Sequence, residues 1–543
     1  MSLEKQPAAD ASKEDPPKTD VLTSIHSTDS DDSDNPFSDP KVAAYYRDVY
    51  ENSKYECRGA FDPLFEWEPE EEKKLLRKLD YRVALSACIM FAALQVDRGN
   101  LGQAVSDNML DDLNLTTNDF NAGNTIFLVC FLLAEIPSQL ISKKLGPDIF
   151  IPIQICSWSI VAMCQVALSG KWSFFITRGL IGALEGGFIA DLVLWLSYFY
   201  KSNELPIRLS WFWTTLSLVQ IATSLLAFAI LHMRGVQNMA GWRWLFLLEG
   251  LVTLLIGLWS FYLMVPLAVQ TKNRWHPKGW FSEREEKIVV NRILRDDPSK
   301  GDMHNRQALS VKAIWKSLTD YDLWPIYAIG LIAYIPQGTV DKYLTFSLRS
   351  LGFSRFNTNL LVIPQAVLHI IILLILTWVS ERIDQRALLG LLVPLWLVPT
   401  VGVLAFWKYS MQKPWPTWVV ASILLGCPYI HAICVAWVSR NSNSIRSRSV
   451  GSALYNMMVQ IGSIISANIY RMDDAPIYRR GNRNLFIIAV LLIPVLLFTK
   501  AYYVWKNRTR EKQWLQWTPE ERETYLHTTK DEGNKRLDFR FVH

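Results

Sequence analysis

The sequence has few of the features that stabilise small secreted domains or build metal centres. It contains only seven cysteines in 543 residues. Six of these fall in long apolar stretches, where a free thiol behaves as a small apolar side chain: Cys88, Cys130, Cys156, Cys164, Cys427 and Cys434. Their spacing forms neither a disulfide framework nor a metal-ligand cluster. We therefore expect no structural disulfide, no bound metal and no cofactor other than coupled protons.

Other signals are also missing. The net charge of +5 is spread along the chain without a dense basic patch, so nothing indicates nucleic-acid binding. We find no His and Asp pair at catalytic spacing and no glycine-rich phosphate loop beside the apolar stretches, which argues against a membrane-bound transferase. The first 80 residues are polar and acidic. We therefore expect no cleavable signal peptide and assign membrane targeting to the first apolar stretch.

What the sequence does contain is a series of long apolar stretches. Half of its residues are apolar and 20% are charged, with the charges concentrated in the tails and one central segment. A membrane-spanning helix needs about 20 mostly apolar residues. We predict an all-α membrane protein with twelve transmembrane helices, at 83–105, 122–142, 149–168, 173–199, 209–231, 243–265, 323–346, 358–379, 387–407, 417–438, 449–470 and 485–505.

The charged segments divide the chain into five predicted parts. Residues 1–80 form an N-terminal tail that ends in an amphipathic helix, and 507–543 form a C-terminal tail. Two six-helix bundles, 81–266 and 321–506, are joined by a central loop, 267–320. Most short loops on the side of the tails are rich in Lys and Arg, which favours the cytoplasm. We therefore expect both termini and the central loop to be cytoplasmic.

The first span carries ionisable residues near its middle. The apolar run 83–94 is too short to cross the hydrocarbon core, so the helix must continue through Asp97 and Arg98. Ionisable side chains at this depth are costly and usually face a bundle interior or an aqueous cavity. The pair is therefore a candidate functional site, and transport is the first interpretation.

The fourth span carries a second charged pair. Arg178 and Glu185 are seven residues apart, about two helical turns, and therefore share one face.

Arg98 keeps its charge at all relevant pH values, and its planar guanidinium matches a carboxylate or sulfonate through two hydrogen bonds. We expect Arg98 to bind an anionic substrate, and Glu185 to exchange a proton as arginine changes partners. The alternative is a structural ion pair that never contacts substrate.

Further polar side chains fall within predicted spans. The candidate substrate-binding residues are Arg98, Asn100, Gln220, Tyr334, Gln337, His369, Asn456 and Gln460. A lone histidine on an apolar helix, such as His369, is more often a packing residue than a pH sensor. The adjacent Asp341 and Lys342 are expected at the external rim of the seventh span.

Several motifs occur in order along residues 65–543. They are Asp97-Arg98-Gly99-Asn100-Leu101-Gly102 in the first span, Glu135-Ile136-Pro137-Ser138 in the second, Arg178 to Phe188 in the fourth, Gly241 to Gly250 at the start of the sixth, and the stretches Ala436 to Asn441 and Asp474 to Gly481. With these motifs the chain resembles the major facilitator superfamily, and within it the fungal allantoate permease family of anion:cation symporters.

The resemblance implies a major facilitator fold that imports a small organic anion, a carboxylate or a sulfonate, together with protons. Carried over by motif, Arg98 binds the anionic group, Asp97 and Glu185 couple protons with Arg178 beside them, and Asn456 falls where relatives place a substrate-contacting Asn. We expect a monomer whose partners are the small anion and the lipid bilayer. The plasma membrane is the expected location and the vacuolar membrane the alternative. A non-transporting nutrient sensor and a vacuolar exporter remain open.

Overall fold

The computed structural model describes residues 35–201, 204–272, 277–301, 315, 319–382, 385–410, 412–442, 445–529 and 533–543. Within these residues the chain is helical and contains no strand. Most of the acidic N-terminal tail lies outside the described residues. The helices of the first half are α1 Pro40–Asn52, α2 Pro69–Leu79, α3 Leu85–Ser106, α4 Met109–Asp112, α5 Thr117–Leu145, α6 Pro147–Cys164, α7 Lys171–Glu185, α8 Phe188–Ser197, α9 Leu205–Ile230 and α10 Gly241–Leu263.

A charged helix, α11 Glu283–Asp296, lies between the halves of the chain. The remaining helices are α12 Trp324–Ile332, α13 Ile335–Ser350, α14 Arg355–Leu360, α15 Ile363–Arg382, α16 Arg386–Gly390, α17 Leu392–Phe406, α18 Pro414–Leu425, α19 His431–Ser442, α20 Ile445–Ala467, α21 Arg479–Gln516 and α22 Pro519–Thr528.

Each predicted apolar stretch coincides with one of these helices or with two consecutive ones. Among the described residues, eight helices are long and apolar enough to cross a membrane by length and composition. The total of twelve spans and the five-part division therefore stay predictions. Large apolar side chains on the outer faces are exposed, among them Leu133, Leu395 and Phe498 at 63–70%. Such a surface fits lipid rather than water.

The fourth span is broken where its second half begins. Helix α7 ends at Glu185 and α8 begins at Phe188, because Gly187 adopts a left-handed conformation with φ of +81°. Upstream of the break, a Cβ on Gly182 would lie 2.2 Å from the backbone oxygen of Phe127 in α5. The missing side chain therefore lets α7 approach α5 closely, and this contact fixes Glu185 in the interior.

One end of the first half is covered by charged helices from outside the spans. The side chain of Arg292 in α11 is fully buried and contacts Glu72 at 3.3 Å and Glu204. Burial disfavours the charged form of Glu72, but hydrogen bonds from Lys201 and Trp67 outweigh burial and hold its pKa below the usual value. The N-terminal segment and α11 are therefore fastened to the same end of the bundle.

The C-terminal segment covers the second half in a similar way. The indole nitrogen of Trp437 donates to the backbone oxygen of Val542 at 2.7 Å. Lys535 forms ion pairs with Asp320 and Asp322 at 2.7 and 2.6 Å. We call the end of the molecule that carries these segments the tail end, and the opposite end the far end.

At the far end, hydrogen bonds join the two halves. Residues near the ends of α3, α5, α13 and α20 take part, with α14 and neighbouring loop residues. The Thr345 hydroxyl donates to the backbone oxygen of Gly102 at 2.7 Å, and the Asn121 amide donates to the backbone oxygen of Tyr470 at 2.7 Å. The side-chain amides of Asn359 and Asn468 donate to the hydroxyls of Ser106 at 3.2 Å and Thr125 at 2.8 Å. The two halves are therefore closed against each other at this end.

The close approach of α5 and α7 gives a stability prediction. Gly182→Ala should lower the free energy of unfolding by about 1–3 kcal/mol, because the added methyl group forces the two helices apart. Thermal unfolding of the purified protein in detergent measures the change. Gly99→Ala is the matched control, since a Cβ there meets only Thr223 at an ordinary 3.7 Å. Equal melting temperatures for the two variants would contradict the packing account.

Candidate functional site

Arg98 and Glu185 form an ion pair between the first and fourth spans. Nε of Arg98 donates to Oε2 of Glu185 at 2.8 Å. The Glu185 side chain is fully buried, whereas that of Arg98 is 25% exposed. The arginine is therefore the accessible member of the pair. Its remaining N–H groups are available to an incoming acceptor while the carboxylate stays out of reach.

Aromatic rings from α5 hold the arginines in place. The guanidinium of Arg98 lies 5.0 Å from the ring centroid of Phe131 and 5.8 Å from that of Phe127. The guanidinium of Arg178 lies 4.4 Å from the same Phe127 ring and is almost wholly buried. Ring faces attract cations, most strongly where water is excluded. Phe127 therefore helps to keep two guanidinium groups near one carboxylate, Glu185.

Asp97 points away from its sequence neighbour Arg98. The Asp97 side chain is 3% exposed, and among the described residues neither carboxylate oxygen accepts a hydrogen bond of ordinary geometry. It faces Thr253 of α10 and Trp158 of α6, and it interacts electrostatically with Glu185. The structure thus separates the two charges that are adjacent in the sequence. Arg98 pairs with Glu185, and Asp97 turns into the interior of the first half.

The second half contributes a charged pair at the depth of Arg98. Lys342 donates to the backbone oxygen of Ser463 at 3.1 Å and interacts electrostatically with Arg178. Asp341 is exposed, and its carboxylate lies near the side chain of Gln220 in the first half. Both residues therefore face the other half of the molecule.

The position of this pair differs from the sequence expectation. Thr345, about one turn beyond Asp341, bonds to Gly102, which lies about one turn beyond Arg98. Asp341 and Lys342 are therefore level with Arg98 and do not lie at the external rim. The expectation was wrong because α13 continues to Ser350, about two turns past the pair.

The polar candidates of the second half gather around a break between α18 and α19. The Tyr334 hydroxyl lies 2.9 Å from the hydroxyl of Tyr455. Gln337 donates to the backbone oxygen of Leu425 at 3.3 Å. His369 packs against the Tyr429 ring, with 5.7 Å between ring centroids.

The remaining predicted site residues occupy different surroundings. Asn456 and Gln460 follow Tyr455 on α20 and are half-buried. Asn100 in α3 is 1% exposed, and no residue that the structure describes forms a hydrogen bond with its side-chain amide. The structure thus brings Arg98, Glu185 and Arg178 together, and it leaves Asn100 enclosed in helix packing.

Sequence reasoning missed an aromatic group at the break after α18. Tyr429 stacks on His431 with ring centroids 5.7 Å apart, and His431 contacts Trp213 of the first half at 5.4 Å. The signal that could have found it is Gly426-Cys427-Pro428, which interrupts an apolar stretch between two helix ends.

The family description "Major Facilitator Superfamily" matches residues 87–467. The chain belongs to the major facilitator superfamily. This confirms the fold and the superfamily expected from the sequence motifs.

Relatives of this major facilitator protein are named as transporters. An uncharacterized transporter of Saccharomyces cerevisiae is 46% identical over 513 residues, which cover 94% of each chain. The MFS-type transporter efuF of Hormonema carpetanum is 26% identical over 452 residues, 82% of this chain and 88% of that one.

Solved structures of the same fold are also similar. The xylose transporter XylE from E. coli has a TM-score of 0.55 at 15% identity, over 78% of this chain and 97% of that one. A bacterial homolog of the human lysosomal transporter Spinster has a TM-score of 0.53 at 14% identity, over 80% and 98%. These similarities concern the fold of the major facilitator protein.

The fully buried carboxylate of Glu185 gives a prediction for its arginine partner. Arg98→Gln should lower stability by about 3–5 kcal/mol near pH 8, because the buried Glu185 carboxylate loses its hydrogen-bonded cationic partner. The loss should be smaller near pH 5, where a proton can neutralise the carboxylate. Thermal unfolding at the two pH values measures this difference. The double variant Arg98→Gln/Glu185→Gln should remove the pH dependence, and an equal loss at both pH values in the single variant would contradict the pairing.

Proposed function

We propose that this protein is a proton-coupled symporter that imports a small organic anion, a carboxylate or a sulfonate, by alternating access. The observation that carries the proposal is the Arg98–Glu185 ion pair at 2.8 Å, in which only the arginine is accessible. An anion that reaches this depth needs a cationic partner, since charges in a low-dielectric interior are stable only when paired.

The same pair supplies a means of coupling. Arg98 can bind Glu185 or the anionic group of a substrate. When Glu185 takes up a proton, its charge disappears and Arg98 is released toward the substrate. When the substrate leaves, Arg98 returns to Glu185, and the proton is given up. One proton and one negative group therefore move together, because Arg98 exchanges one anionic partner for the other.

Other residues have supporting roles in this proposal. Arg178 holds positive charge near Glu185, and Asp97 exchanges a proton beside it. Gln220 of the first half lies near Asp341 of the second half across the interface. From the second half, Tyr334, Gln337, His369, Asn456 and Gln460 form the opposite wall of the substrate site. Asn100, which is buried in α3 two residues after Arg98, is assigned to the same substrate site.

We assign the protein to the allantoate permease family, with the tail end in the cytoplasm and the plasma membrane as its location. The naming of its relatives as transporters supports transport over a pure sensor role. A vacuolar exporter of the same anions and a non-transporting sensor are the outcomes that a test must separate.

Uptake measurements test the proposed coupling. A strain that lacks its own uptake systems, grown on single carboxylates and sulfonates, identifies the substrate. Glu185→Gln should then abolish accumulation against a gradient in proteoliposomes with an acidic exterior, because Arg98 can no longer be recaptured by a carboxylate. Exchange of labelled for unlabelled anion should persist, because the variant keeps Arg98 available to substrate.

Glu135→Gln is the matched control, since Glu135 is a buried carboxylate on α5 that has no cationic partner among the described residues. Full accumulation by Glu185→Gln would contradict the coupling role. Binding without any uptake by the wild-type protein would indicate a sensor. Location of the tagged protein in the vacuolar membrane, with uptake into vacuoles, would indicate the exporter.

A further inference from the structure

A third buried carboxylate lies behind the ion pair. Glu249 of α10 is 2% exposed, and neither of its carboxylate oxygens has a hydrogen-bond partner in the described part of the chain. Within the part of the chain that the structure describes, no lysine or arginine forms an ion pair with it. A carboxylate in such a place has lost its hydration without gaining a partner, which is costly for the charged form.

The charged group that faces Glu249 is Asp97. Helix α10 packs against α3, which carries Asp97, and the two carboxylates interact electrostatically. Thr253, about one turn beyond Glu249, faces Asp97 while its hydroxyl donates to the Gly250 backbone at 3.0 Å. Four carboxylate oxygens without hydrogen-bond partners therefore lie in one enclosed region.

A donor from a third helix points into the same region. The indole N–H of Trp158 in α6 is fully buried and faces Asp97, without a hydrogen bond of ordinary geometry. From α7, Glu185 is the other charged group that interacts with Asp97. The region thus contains carboxylates from three helices, and the cations Arg98 and Arg178 belong to Glu185.

Two neighbouring carboxylates without a cation cannot both be charged in the interior, because each charge disfavours the other. Neighbouring acids in this situation hold one proton between them and titrate as a pair. The Trp158 N–H can stabilise the charge that remains. A sodium site lined by oxygens fits less well, because the Trp158 N–H group points at Asp97 and an N–H donor cannot coordinate a cation.

We propose that Glu249 and Asp97 share one proton and form a second proton site, separate from Glu185 and closed to the substrate. Glu249 acts through Asp97 and is a positioning residue. Its part in transport rests on the proposed function, whereas the shared proton does not. In the transport cycle, the charge state of Asp97 sets how readily the neighbouring Glu185 takes up its own proton.

Infrared spectroscopy of the purified full-length protein in lipid vesicles tests the proposal without any substrate. The C=O stretch of protonated carboxylic acids is followed as the pH is raised. The wild type should show a carboxylic acid signal at neutral pH that is absent from the double variant Asp97→Asn/Glu249→Gln. In Glu249→Gln, the signal of Asp97 should disappear at a pH lower by about one unit or more, because the second negative charge is gone.

Two further variants keep the test decisive. Glu249→Asp retains a titratable acid. The pH at which Asp97 loses its proton should therefore return part of the way to the wild-type value, which a purely structural role of the side chain would not require. Asp97→Asn should lower the pH at which Glu249 loses its proton by a similar amount. Glu135→Gln, as a control, should leave the signal of the pair unchanged.

Three results would overturn the proposal. These are an unchanged titration of Asp97 in Glu249→Gln, a neutral-pH spectrum that is the same in the double variant as in the wild type, and displacement of the acid signal by sodium ions at constant pH. The proposed symport is tested separately, by the uptake assay on Glu185→Gln. If Glu185→Gln loses accumulation in the uptake assay and any of these three infrared results is found, the proposed symport stands and only the second proton site is ruled out.

Discussion

The ion pair between Arg98 and Glu185 is the contact that the rest of the structure supports. A fully buried carboxylate requires either a proton or a cation, and Arg98 is the cation at 2.8 Å. The glycine at position 182 lets α7 approach α5, and the break at Gly187 ends the helix immediately after Glu185. The ring of Phe127 contacts both guanidinium groups. Backbone packing and aromatic contacts therefore hold this pair of charges together in an interior that disfavours unpaired charges.

The surrounding architecture gives this pair its context. The halves are joined by hydrogen bonds at the far end, and the tail segments are fastened to their own halves at the other end. Asp341 and Lys342 lie at the depth of Arg98 on the facing half. A substrate between the halves would therefore meet charged groups from both bundles. That placement is what alternating access requires of a central site.

Much of the fold was predictable, because long apolar stretches and the charges between them follow directly from the thickness of a bilayer. Arg98 and Glu185 were also predictable, since ionisable residues inside apolar stretches stand out. The depth of Asp341 was not, because α12 and α13 are separate helices and α13 extends beyond the apolar stretch. Glu249 lies within the motif Gly241 to Gly250. Only the packing of the described residues shows that no lysine or arginine pairs with it.

The central claim is that the charge on Glu185 decides whether Arg98 is available to an anion. Anion binding to the purified protein, measured by isothermal titration calorimetry with the substrate identified by growth, tests this most directly. The wild type should bind more tightly as the pH falls, because protonation releases Arg98. Glu185→Gln should bind tightly at every pH. A wild-type affinity that does not change with pH, or a Glu185→Gln variant that keeps the wild-type pH dependence, would contradict the account.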